Sequence, residues 1–196
     1  MPAISLLVLG TRNPHKVREI GRLLEPAGIA VVPLPEGIEL PPETGETFAD
    51  NALPKARATA AATGRAAIAD DSGIEAHALG GAPGVRSARY AGENATDEEN
   101  LAKLLSQAPA GSGVRYVCAL ALVDPATGEE QVFLGECRGR LAEAPRGTRG
   151  FGYDPAFIPL DGPDDGRTMA ELSDAEKDAI SHRGHAVREL IRWLGA

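Results

Sequence analysis

The sequence predicts an α/β chain built on a mixed sheet flanked by helices. Short apolar, strand-like runs alternate with segments whose apolar residues recur at helical spacing. The first run, Ser5 to Leu9, passes through a turn straight into a helical pattern. Further on, Val114 to Val123 and Gln131 to Arg138 read as two long strands joined by the turn PATGE at 125–129. The chain has 196 residues, which fits one domain of two lobes over 1–196 and can bury a sizeable core.

The elements follow in order. After the first strand, Thr11 to Asn13 forms a turn, with Asn13 as helix cap and Pro14 at the first helical position. Val17, Ile20, Leu23 and Leu24 keep helical spacing, and Ala30 to Val32 is a second short strand. Pro33 to Glu46 is rich in Pro, Glu and Gly and reads as an exposed loop. Thr47 caps a helix that stops near Thr63, with Gly64 as its terminator. Pro54 lies inside that pattern and is expected to kink the helix or delay its start. Ala66 to Ala69 and Ile74 to Ala78 flank Asp-Asp-Ser-Gly and suggest a hairpin. Thr96 opens a helix carrying Leu101, Leu104 and Leu105 on one face. Gly147 to Asp154 is glycine-rich, and the pattern is helical again from about Asp174 to Leu194.

Bulk composition narrows the function classes. The formal net charge of −8 argues against a non-specific nucleic-acid binder, though it leaves room for a local basic pocket. The N-terminus MPAISLLVLGTRN lacks a basic region before its short apolar run and does not read as a signal peptide. No run approaches the ~18 apolar residues of a membrane span. Cys118 and Cys137 sit in apolar runs without metal-type spacing, so buried free thiols in a reducing cytoplasm are expected.

Five constellations could carry chemistry. Asp70 and Asp71 end an apolar run beside Ser72 and Gly73. Adjacent acids repel unless a cation or a base role holds them there, which points to a divalent metal, a general base or both. Read alone, the pair equally fits the opening of a solvated turn. Thr11, Asn13 and Lys16 sit where a strand enters a helix, a junction with free backbone N–H groups and a positive dipole end. The Walker A spacing is absent, and an ordinary capped helix with a solvated lysine also fits. Glu43, Glu46, Asp50, Asn51 and Lys55 lie in and after the polar loop, with Asn51 and Lys55 on one helix face. They suit Mg²⁺ and a polyphosphate, or merely a solvated face. Phe151, Gly152, Tyr153 and Asp154 place rings at a glycine bend, suited to stacking on a base or to anchoring a core. Near the C-terminus, Lys177, His182 and Arg183 bring donors with no acid beside them in sequence, as an acceptor-rich purine edge or phosphate would need. Ser181 there also fits the cap of a last helix.

Together the segments resemble the inosine triphosphate pyrophosphatase family. The likeness runs through Thr-x-Asn-x-x-Lys at 11–16, TFADNALPKA at 47–56, IADDSGIEAHALGGAPGVRSARYAG at 68–92, GFGYDP at 150–155 and AELSDAEKDAISHRGHA at 170–186. It covers almost the whole chain, in order. It implies an elongated mixed sheet with two lobes and an active cleft between them, a homodimer in the cytoplasm, and Mg²⁺-dependent hydrolysis of ITP, dITP and XTP to the monophosphate and pyrophosphate. The resemblance also implies roles. Asp71 is the catalytic base and a metal ligand, with Asp70 beside it in the ligand shell and Ser72 against substrate. Thr11, Arg12, Asn13, Pro14, His15 and Lys16 form the triphosphate-binding turn, and Lys55 adds charge there. Phe151, Gly152, Tyr153 and Asp154 cradle base and sugar, while Lys177, His182 and Arg183 close over the nucleotide and read its purine edge. The loop reads LPPETGE, with Pro42 where the family often carries a further acid, so Glu43 is the expected loop ligand. Two other readings are a pyrimidine-directed Maf-type pyrophosphatase and a nucleotide-binding regulator without turnover. The Ser-His-Arg and GFGYDP segments favour the purine enzyme over the first. The intact Asp71, Lys16 and Lys55 set favours it over the second.

Overall fold

A computed structural model describes residues 4–195. Its elements are β1 (Leu6–Leu9), α1 (Pro14–Leu24), β2 (Ala30–Pro33), α2 (Phe48–Thr63), β3 (Ala67–Ala76), α3 (Asp97–Gln107), β4 (Gly113–Asp124), β5 (Glu129–Leu141), β6 (Phe157–Pro159), α4 (Asp174–Ile180) and α5 (His182–Leu194). The strands form one sheet in the order β2-β1-β3-β4-β5-β6. β1 runs parallel to β2 and β3, while β5 and β6 are antiparallel, so the sheet is mixed as expected.

The chain divides into two compact units. The first holds the chain up to Asp71, Cys118–Gly135, and everything from Arg183 on. The second holds Ser72–Val117 and Glu136–His182. Each has its own apolar core. In the first, Leu7, Leu9 and Ile68 pack with Ile20 and Leu24 of α1, Leu120 and Leu122 of β4, and Val187 and Leu190 of α5. In the second, Ile74, Leu101, Leu104, Tyr116, Leu141, Tyr153 and Phe157 form the cluster. Both cysteines are free and buried, as their apolar settings suggest.

Local signals set several helix ends. Asn13 caps α1 with Pro14 at its start. Thr47 with Asp50, and Thr96 with Glu99, form capping boxes on α2 and α3. Gly64 ends α2 in the left-handed conformation, at φ 64°. α2 starts at Phe48 and continues through Pro54, so the delayed start is not observed. The single helical pattern near the C-terminus is two helices, α4 and α5, parted at Ser181, whose ψ of 152° is extended.

One expectation fails outright. Asp-Asp-Ser-Gly is no turn, because β3 runs unbroken from Ala67 to Ala76. The glycine serves close approach instead. A Cβ on Gly73 would stand 2.3 Å from Ser87 Oγ and 2.5 Å from Gly84 O. Ser87 Oγ in turn accepts from the Ile74 N–H at 2.9 Å. The acids extend the strand because their charge is met from within the fold, so no turn has to carry them to water.

Candidate active site

In the first unit, polar side chains converge on the middle of β3. Neighbouring strand residues project to opposite faces, and the contacts of Asp70 and Asp71 differ accordingly. Asp70 is fully buried. Its Oδ2 lies 3.1 Å from Lys16 Nζ and accepts from Arg183 Nη2 at 3.0 Å and Nε at 3.3 Å. Burial alone would raise its proton affinity, but Lys16, Arg183 and Lys55 outweigh that and hold the carboxyl well below the usual range. Asp71 is 5% exposed, and its Oδ2 accepts from Asn51 Nδ2 at 2.8 Å. Here burial prevails: assisted by the nearby Glu43 and opposed by Lys55, it pushes the carboxyl up. Two adjacent acids pushed apart in proton affinity are the pattern of one fixed anion and one working base.

The surrounding residues hold this arrangement. Lys55 Nζ donates to the Asp70 carbonyl at 2.8 Å and forms a short ion pair with Glu43. Asn51 Oδ1 accepts from Gly45 N–H at 2.7 Å, which fixes the amide so that its NH₂ faces Asp71. The spacing of Asn51 and Lys55 therefore delivers both to one place, as a shared helix face should. Asp50 belongs to the cap of α2 rather than to this cluster, accepting from Thr47 N at 3.1 Å.

The helix-entry turn departs from expectation. Three of its backbone N–H groups are taken: Asn13 N donates to Thr11 Oγ1 at 3.2 Å, and His15 N and Lys16 N both donate to Asn13 Oδ1, at 2.9 and 3.4 Å. Pro14 has none to give. Positive charge at this turn comes from the Lys16 side chain and the helix dipole. Arg12 faces the polar loop, donating to the carbonyls of Leu34, Pro35 and Ile38 at 3.3, 3.0 and 2.8 Å. It braces the loop that leads to Glu43. The His15 ring lies 2.9 Å from Arg18 Nη2.

Arg183 also departs from expectation. Its side chain is 1% exposed and pairs with Glu19 as well as Asp70. The acids absent from its sequence neighbourhood arrive from α1 and β3. Glu19 was not singled out from the sequence, yet it lies three residues after Lys16 on the face that carries Ile20 and Leu23. An acid on an apolar helix face was the available signal.

The three-acid metal set of Glu43, Asp70 and Asp71 is not assembled. Among the described residues no group of three or more His, Cys, Asp or Glu side chains is gathered for a metal. Asp70 faces cations instead.

The second unit holds the aromatic residues of the expected base-binding segment, Phe151 and Tyr153. Asp154 is 3% exposed. It accepts from Lys177 Nζ at 2.6 Å, Phe151 N at 2.9 Å and Tyr116 Oη at 3.1 Å. Gly150, at φ +73°, lets the chain pass over it, since a Cβ there would sit 2.0 Å from Asp154 Oδ2. Lys177 Nζ lies 5.2 Å from the half-buried Phe151 ring. Gly152 N donates to Asp97 Oδ2 at 2.8 Å. Tyr153 is a core anchor whose hydroxyl donates to Ser87 O at 2.7 Å. Its neighbour Asp154 is likewise internal, so neither presents a free edge. His182 stacks on Tyr116, with ring centroids 4.6 Å apart and planes 17° apart. Ser72 follows Asp71 on β3 and is half-buried.

The Ham1 family profile matches residues 7–193. The chain belongs to the Ham1 family. Relatives named dITP/XTP pyrophosphatase include one from Frankia alni, 52% identical, with 96% of each chain covered. Another, from Symbiobacterium thermophilum, is 49% identical, with 97% of this chain and 95% of the relative covered. Among solved structures, a HAM1 protein from Coxiella burnetii superposes with a TM-score of 0.84 at 41% identity, covering 97% of this chain and 98% of its own. A nucleoside-triphosphatase / dITP/XTP pyrophosphatase from Mycobacterium abscessus gives 0.71 at 47% identity, covering 94% and 98%. These Ham1 relatives bear out the resemblance read from the motifs, and with it the α/β fold.

Proposed function

We propose that this Ham1 protein hydrolyses non-standard purine nucleoside triphosphates, namely ITP, dITP and XTP, to the monophosphate and pyrophosphate, clearing them from the nucleotide pool. The observation that carries the reading is one buried, lysine-lined cluster in which Asp70 is paired with Lys16 and Arg183 while its neighbour Asp71 is held by Asn51. The names borne by close relatives support the same substrates.

Asp71 accepts the proton of the attacking water, because it is the acid whose proton affinity is raised and whose orientation is fixed by Asn51. Asp70 stays an anion and keeps Lys16 and Arg183 in place. Lys16 and Lys55 offset the charge of the triphosphate at the helix-entry turn, where Thr11 and Asn13 shape the backbone. Glu43 and Asp71 offer the one or two carboxylates that Mg²⁺ takes while keeping waters and substrate phosphates. When bound, the ion supplies further positive charge against the triphosphate. Phe151, Lys177 and His182 hold the base and sugar. A 6-keto oxygen accepts from a donor that the 6-amino group of adenine would oppose, and a mispaired buried donor costs on the order of 1–3 kcal/mol. In this reading Arg183 acts through Asp70 rather than on the purine edge. The enzyme works as a homodimer in the cytoplasm, a statement that rests on the family resemblance. Among the described residues no helix is long and apolar enough to cross a membrane.

The test is pyrophosphate release from dITP, XTP, GTP, dATP and dTTP, with and without Mg²⁺. Metal-dependent release from dITP and XTP, with dATP and dTTP slow, is expected. Preference for dTTP, or tight dITP binding without turnover, would overturn the reading.

A further inference from the structure

We infer that Tyr116 is a positioning residue for the nucleotide base, setting the His182 ring and the Lys177–Asp154–Phe151 group together. The inference rests on the purine-triphosphate reading above. In sequence Tyr116 is one apolar position of a strand, and its 6% exposure fits a core residue. Its contacts do more than fill space.

The ring stacks on His182, at 4.6 Å and 17°, and on Phe157, at 4.4 Å and 24°. Phe157 belongs to the apolar core, so the pile ties an imidazole to a rigid base. His182 follows the extended break at Ser181 and begins α5. Helix geometry alone does not choose its ring plane there; a stacked neighbour does. At the other end, the Tyr116 hydroxyl donates to Asp154 Oδ1 at 3.1 Å. That leaves Asp154 Oδ2 for Lys177 Nζ at 2.6 Å and the Phe151 N–H at 2.9 Å. Burial and the adjacent Asp154 hold the phenol proton far above its ordinary range, so the hydroxyl remains a donor. One side chain thus touches both His182 and the carboxylate that seats Lys177 and Phe151. A site that separates a keto from an amino group needs its donors held within about 0.5 Å.

Two substitutions separate the two contacts. Tyr116→Phe keeps the stack and removes the hydroxyl; Tyr116→Leu removes both. Steady-state kinetics with dITP and dATP are read on each variant, with far-UV circular dichroism for folding. Tyr116→Phe is expected to raise KM for dITP by about 3–5-fold, the usual worth of one hydrogen bond, with kcat within about twofold. Tyr116→Leu is expected to raise KM by about 10–30-fold and to narrow the preference for dITP over dATP. In a His182→Ala background the same Leu change should add much less, because part of its effect acts through the imidazole. A merely structural tyrosine would lower the unfolding midpoint and leave KM and base preference alone. Wild-type KM and preference in both variants would overturn the inference, as would wild-type KM in Tyr116→Phe alone if Tyr116→Leu does not fold. Absence of pyrophosphate release by the wild-type protein would instead overturn the substrate reading itself.

Discussion

Each unit sets a lysine against a buried aspartate, Lys16 with Asp70 in the first and Lys177 with Asp154 in the second, and the surroundings of the two pairs differ. Asp70 meets a second cation, Arg183, which is itself shared with Glu19. Asp154 meets a phenol and a backbone amide, and the rings of Phe151, Tyr116, Phe157 and His182 lie around its partners. The first environment is built from full charges that hold Asp70 down, while burial pushes its neighbour Asp71 up, so the two proton affinities shift in opposite directions. The second is built from neutral donors and flat rings and fixes shape. Proton transfer on a polyanion asks for the former, and recognition of a flat base for the latter. An acid–lysine pair has no meaning by itself; its next neighbours decide it.

The sharpest way to break this contrast is at Asp71. Asp71→Asn keeps volume and polarity, and pyrophosphate release from dITP should fall by about 10³-fold with the circular dichroism spectrum unchanged. Near wild-type turnover would move the base elsewhere.

Stability should separate the two pairs next. Arg183→Met withdraws donors from two buried carboxylates, so a loss of about 3–5 kcal/mol in urea unfolding is expected. Lys177→Met should cost less, because Asp154 keeps the Tyr116 hydroxyl and the Phe151 amide. Equal losses would mean that neutral donors compensate a buried acid no better than charge does. An unchanged midpoint for Arg183→Met would return that side chain to the substrate-reading role.

Gly73→Ala tests whether the acidic segment is strand or turn. Its new methyl would meet Ser87 and Gly84 at 2.3 and 2.5 Å, so overpacking of about 1–3 kcal/mol is expected. A neutral result would favour the turn.

The smallest effect concerns the thiols. Burial pushes both Cys118 and Cys137 up to about 12, so at pH 8 the folded chain keeps protons that unfolded thiols begin to release. Mass spectrometry after iodoacetamide should find neither cysteine modified in the native protein and both modified in denaturant. Modification of Cys118 alone would show that the charged cluster beside it opens to solvent.

Sequence alone determined what depends on local chemistry. Caps and helical spacing fixed the starts of α1, α2 and α3, and a glycine stop the end of α2, to within a residue or two, because the groups that satisfy a helix end lie within a few positions of it. The ordered motifs carried the family, and the i, i+4 spacing of Asn51 and Lys55 carried a shared face. Tertiary structure decided the rest. Whether Asp70 and Asp71 opened a turn or lay inside a strand depended on Lys16, Arg183 and Asn51 arriving from far along the chain. Whether Arg183 was a free donor depended on Glu19, more than a hundred residues away. Whether Tyr116 was filling or fixture depended on which rings and which carboxylate came to rest against it. Burial of a charge or a hydroxyl is settled by its partners, and those partners are neighbours only in the folded chain.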